Sequence, residues 1–161
     1  IFKTLGTMLK TRLNIFLTIF FLWTLSSCHP LGCSWDFGYT QLKVEPNESK
    51  LIGIYILSEK SKSYLKDHGL NPEICILKLN ADKSFNLENV PSSISNDDLK
   101  GSDGTQNKYG TWSVSCDKSY DCMIELQGTC VVPLCEKDDR ISIPITIGDG
   151  DECNGIVFEK R

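Results

Sequence analysis

From Leu51 onward, apolar residues come in short runs whose period is two, the spacing of half-buried β-strands. Leu51–Leu57 (LIGIYIL) is apolar and β-branched and predicts a buried strand. Ser58 then has the chemistry of a helix N-cap, and Glu59 to His68 reads as a brief helix that Gly69 ends. Ile74–Leu79 (ICILKL) predicts the next strand, Asn80-Ala81-Asp82-Lys83 a turn, and Ser84–Val90 (SFNLENV) the returning strand. Pro91 to Gln106, dense in Ser, Asn, Asp and Gly, predicts a loop. Lys108–Ser115 alternates Tyr109, Thr111 and Ser113 against Gly110, Trp112 and Val114. Cys116–Cys122 predicts a hairpin loop. Cys122–Leu126, Thr129–Leu134, Arg140–Ile147 and Gly155–Glu159 predict further strands, and Pro144 points to an edge or a bulge within its strand. About eight short strands with one short helix leave little chain for parallel crossovers. The expected fold is therefore mainly β, an antiparallel meander closing into a small barrel.

The start of the chain follows another pattern. Lys10 and Arg12 precede an uncharged apolar run, Leu13 to Leu25, that is shorter than the about 20 residues of a membrane span. Leu25, Ser26, Ser27 and Cys28 follow in the order apolar, small, small, cysteine. This segment resembles the signal peptides of bacterial lipoproteins, in which the chain is cut before the cysteine and that thiol is lipidated. The resemblance implies a signal peptide over 1–27, with Met8 as the start, a lipidated tether over 28–50 and a folded domain over 51–161. It also implies attachment to the membrane through lipid, such as palmitate, on Cys28. An uncleaved signal anchor is the alternative. His29 is not the aspartate that marks inner-membrane retention, so the outer membrane is the expected location.

Charge narrows the partners. The chain carries 17 basic and 21 acidic residues. Loss of the leader removes Lys3, Lys10 and Arg12 and leaves 14 basic residues, a net charge of −7. That balance argues against nucleic acid and against electrostatic adhesion to anionic lipid. Eight cysteines in an exported chain read first as disulfide partners. Cys116 with Cys122 and Cys130 with Cys135 each flank a loop and are the disulfide candidates. Lipid on Cys28 leaves seven cysteines, and Cys33, beside the tether, is the one expected to be left over.

A second resemblance covers most of Leu51 to Lys160. Leu51-Ile-Gly-Ile-Tyr55, Leu77-Lys-Leu-Asn-Ala-Asp-Lys-Ser-Phe85, Gly110-Thr-Trp112, Ile124-Glu-Leu-Gln127 and Ile147 to Phe158 (IGDGDECNGIVF) resemble small lipocalin-like lipoproteins of bacteria. Ser84 is read as standing in place of the usual turn glycine, and Gly150 in place of the usual proline. The resemblance implies a barrel and is nearly silent on ligand; retinoid- or pigment-type ligands are not implied.

Several constellations carry candidate chemistry. Asp149, Asp151 and Glu152 gather three carboxylates in one turn, a weak calcium candidate without EF-hand spacing; a solvated turn is the alternative. Tyr55, Phe85 and Trp112 fall on strand faces, where they would line a ligand cavity or fill the core. His68 suits the C-terminal end of a helix dipole. Asp97-Asp98 and Asp138-Asp139 read as solvated loop pairs. No catalytic motif or zinc spacing is present, so no enzyme, metal or cofactor is expected. The expected role is a lipid-anchored envelope module that binds a small apolar ligand or an envelope or host protein. A surface interaction or structural lipoprotein is the alternative.

Overall fold

The described residues form ten antiparallel strands: β1 Thr40–Gln41, β2 Gly53–Leu57, β3 Ile76–Leu79, β4 Ser84–Pro91, β5 Thr105–Ser115, β6 Met123–Leu126, β7 Cys130–Pro133, β8 Cys135–Lys137, β9 Arg140–Thr146 and β10 Gly155–Lys160. They form one sheet in the order β1-β8-β9-β10-β2-β3-β4-β5-β6-β7. The computed structural model describes residues 38–95, 104–117, 121–148 and 153–161. The lipobox, Leu25 to Cys28, and Cys33 lie outside the described residues, as do Asp97, Asp98, Asp149, Asp151 and Glu152.

Period-two alternation sets one face of β3, β4 and β6 inward, whereas β9 and β10 are buried on both faces over most of their length. Tyr55 stands opposite Leu77, Leu77 opposite Leu87, and Leu79 opposite Phe85. Phe158 lies between Leu57 and Ile143. All of these are buried in a single hydrophobic cluster with Leu126, Ile124, Ile145 and Ile156. Burying each such side chain contributes about 1.5–3 kcal/mol, which is what holds the sheet in its curl.

Two devices close it. β5, eleven residues long, pairs with β4 through Thr111 and with β6 from Trp112, so one strand turns the corner between two parts of the sheet. At the ends of the order, β7 runs into β8 with only Leu134 between them. There Leu42 N–H donates to Leu134 O (2.8 Å), Leu134 N–H to Cys122 O (2.9 Å) and Cys122 N–H to Leu42 O (2.7 Å). The result is a small, nearly closed antiparallel barrel.

Several expectations need correction. The polar segment before Leu51 is not all tether: Thr40 and Gln41 pair with Glu136 and Cys135, and Glu48–Leu51 forms a short helix capped by Asn47, whose Oδ1 accepts from Ser49 N–H at 3.0 Å. The stretch read as one strand, Thr129–Leu134, is β7, and its continuation past Leu134 is β8. The turn residue with a left-handed backbone is Lys83 (φ 68°), not Ser84. Lys83 is held there by an ion pair with Glu48 and by its ammonium 4.1 Å above the Trp112 ring. Asp138 and Asp139 are consecutive left-handed residues (φ 51° and 60°) and make the two-residue turn from β8 to β9.

Pro144 is an edge residue in effect. The β8–β9 ladder ends at Ser142, one side of the strand. On the other side Pro144 faces Val157, whose N–H donates to Ser61 Oγ (2.8 Å) and whose carbonyl accepts from Ser58 N–H (2.9 Å). No partner asks Pro144 for the N–H it lacks.

The same contacts explain the helix Glu59–Asp67. Ser58 caps it, its Oγ accepting from Ser61 N–H at 3.3 Å, and Ser61 Oγ continues the β10 ladder where β2 has ended. Both serines are buried. Ser61→Ala removes the acceptor of the buried Val157 N–H, and a loss of about 1–3 kcal/mol is expected. Urea unfolding checks it; a change below about 0.5 kcal/mol, the range of inert surface changes, would contradict the role. His68 forms the C-cap, with its Nδ1 2.8 Å from Tyr64 O.

Candidate functional site

Tyr55, Phe85 and Trp112 are brought together, but as core. Tyr55 and Phe85 are fully buried and Trp112 nearly so, within one packed cluster. Their polar atoms are used internally: Tyr55 OH donates to Leu51 O (2.6 Å) and Trp112 Nε1–H to Asn80 O (3.1 Å). The expected cavity wall is thus the filling of the barrel, as volume permits in a barrel of this size.

Of the two expected disulfides one is formed. Cys116 and Cys122 are bonded, with Cα atoms 4.1 Å apart. Cys130 keeps its thiol, so the bond to Cys135 is absent. The five steps from Cys130 to Cys135 run along β7 into β8, and extended chain of that length spans about 16 Å, far beyond the about 7 Å limit of a disulfide. Cys153 is disulfide-bonded. Among the described residues, Cys75 and Cys130 are thiols that burial makes poor acids, with pKa values pushed up to about 12 and about 11. Neither has the lowered pKa of a reactive thiol.

The barrel has a mouth that the sequence does not announce. It lies at the end where β2 begins and β10 finishes, beside the short helix Glu48–Leu51. The ladders place Glu136 opposite Ile141 and Lys137 opposite Arg140. Lys160 stands opposite Tyr55, and Arg161 N–H donates to Ile54 O at 3.0 Å. A cleft of about 570 Å³ opens here. Lys50, Arg140, Lys160 and Arg161 line it with Glu136, Asp139 and the apolar Ile141. Its size is that of a small-molecule site, and barrel mouths are a common place for one.

Its walls are fixed from behind. The Lys160 side chain passes over Gly53, where a Cβ would stand 3.0 Å from Lys160 Cε, and its ammonium donates to Lys50 O across the mouth. This hydrogen bond ties β10 to the short helix. At the edge of the mouth, Tyr39 OH donates to Glu159 Oε1 (2.7 Å), and Arg140 Nη1 lies 3.9 Å from Glu159 Oε2. Burial first, then the hydrogen bond to Glu159, pushes the Tyr39 phenol up to about 12, so it stays a neutral donor at physiological pH. A shallower hollow of about 310 Å³ lies along the same hairpin, between Gly38, Thr40 and Lys137 to Asp139.

Four cations facing two carboxylates make the mouth locally positive on an acidic chain. Among the described residues Lys50 and Arg161 have no ion-pair partner within 4.0 Å. Sequence could not assemble this group: Lys50 and Lys160 are separated by 110 positions. Only the antiparallel register brings them to one rim. Comparison with known protein families, curated proteins and solved structures finds no match to the chain.

Proposed function

We propose that this protein is a lipid-anchored component of the bacterial envelope, held at the outer membrane through Cys28, and that it is a non-catalytic binding module which recognises its ligand at its surface. The anchor rests on the order Leu25-Ser26-Ser27-Cys28 after an uncharged apolar run. The surface mode rests on the packing of Tyr55, Phe85 and Trp112, which occupy the space a small apolar ligand would need. The ligand is therefore a solute or an envelope or host protein met outside the core, and the structural-lipoprotein alternative shares the same anchor.

Metabolic labelling with an alkynyl fatty acid tests the anchor. The full chain expressed in a bacterium is expected to take the label, and Cys28→Ala to lose it along with membrane association. A wild-type chain that takes no label would overturn the anchoring. Titration with an apolar fluorescent probe tests the surface mode: no saturable uptake is expected, and one-to-one uptake abolished by narrowing the barrel interior would overturn it.

A further inference from the structure

We infer that the barrel mouth is a binding site for a compact, multiply charged anion of the phosphate type, gripped by Lys50, Arg140 and Arg161. This deepens the proposed binding role and rests on it.

Three observations carry the inference. The first is convergence: Lys50 from the short helix, Arg140 from the start of β9 and Arg161 beyond the end of β10 share one cleft of about 570 Å³. The second is availability. Lys160 is committed to Lys50 O, and Arg140 has only a long contact to Glu159 on an exposed side, but Lys50 and Arg161 have no ion-pair partner among the described residues. Two guanidinium forks and an ammonium match the geometry of phosphate oxygens. The third is contrast. The chain as a whole carries a net charge of −4, so an extended polyanion would meet repulsion beyond the mouth. Charges further than about 10 Å are screened at ordinary ionic strength, so a compact anion feels mainly the local cations. Glu136 and Asp139 on the rim disfavour plain anion accumulation and favour a ligand that also offers hydroxyl or ammonium donors.

Phosphate of this kind comes from a soluble phosphate ester or from a lipid headgroup. Calorimetric titration of the full chain in nonionic detergent with pyrophosphate tests the shared chemistry. One-to-one binding is expected, weakened about tenfold by Lys50→Glu and by Arg161→Glu, and weakening further as sodium chloride rises. Both positions are exposed, so the folded state is kept, and far-ultraviolet circular dichroism confirms it. Absence of saturable binding, or binding that neither reversal changes, overturns the inference. Flotation of the Cys28→Ala chain with phosphatidylglycerol vesicles separates the sources: flotation that pyrophosphate competes away assigns a headgroup, and no flotation assigns a soluble ester. Flotation that pyrophosphate leaves unchanged counts against the mouth as the site. Pyrophosphate binding does not need Cys28, so it survives a failure of the anchoring proposal, and the acyl label survives a failure here.

Discussion

Gly110→Ala is expected to destabilise the barrel by about 3 kcal/mol or more, a large share of the roughly 5–15 kcal/mol that holds a domain folded. A Cβ at Gly110 would stand 2.8 Å from Phe85 Cε1 and 2.9 Å from Gln127 O. Neither neighbour can give way. Phe85 is fully buried and stands directly opposite Gly110 in the β4–β5 ladder. Gln127 O belongs to the backbone of the β6–β7 turn, which is tied to β5 by Gln127 N–H donating to Thr111 O at 3.0 Å. The requirement is therefore for space, at the point where β5 passes from one neighbour strand to the next. Urea unfolding measures the effect. In the Gly110→Ala background, Phe85→Leu should cost less than it does alone, because the smaller side chain relieves the clash. A Gly110→Ala variant within about 0.5 kcal/mol of wild type, or strictly additive substitutions, would sink the argument.

Alkaline pH should weaken the fold by a comparable amount between pH 9 and 12. Cys75, Cys130, Tyr39 and Tyr55 all hold their protons more tightly in the folded chain than in the unfolded one, chiefly because burial penalises their anions. The ordinary values are 9.0 for the thiols and 10.0 for the phenols; the folded values rise to about 12 for Cys75, about 11 for Cys130 and about 12 for Tyr39. Below pH 9 these groups are protonated in both states and their contribution is complete. As pH climbs, the unfolded chain releases protons that the native chain keeps, so unfolding is drawn forward. Urea midpoints at pH 8, 10 and 11 should fall in that order. Cys75→Ala should make the fall shallower, whatever it costs at pH 8. A midpoint unchanged to pH 11 would refute the assignment.

Much of this barrel was legible in its alternation. Leu51–Leu57 announced β2, Ser58 announced the helix cap, and Asn80 to Lys83 announced the turn into β4, because each is decided by neighbours in sequence. β1 was not legible. Thr40 and Gln41 carry no apolar period and become a strand only because β8 offers them partners. The split at Leu134 was equally hidden, since one extended run serves two sheet neighbours in succession. Cysteine pairing is a distance in space, so spacing found Cys116–Cys122 and misjudged Cys130 and Cys135. The mouth is the furthest from sequence: Lys50, Arg140 and Arg161 read singly as surface charges, and register alone makes them a group.

β7 and β9, the strand that holds Pro144, lie in contact, yet no ladder joins them among the described residues. The wall of the barrel is thus a ribbon rolled on itself, and beyond the three backbone hydrogen bonds among Leu42, Cys122 and Leu134 its seam is held by side chains among the described residues. Parting that seam breaks those few bonds and no continuous ladder, so it is the cheapest way to unroll the sheet. Amide hydrogens flanking the seam would then exchange with solvent through partial openings, and those of β3 and β4 only through complete unfolding. A proline at such a position also denies a stray strand one of the donors it would need to insert and spread.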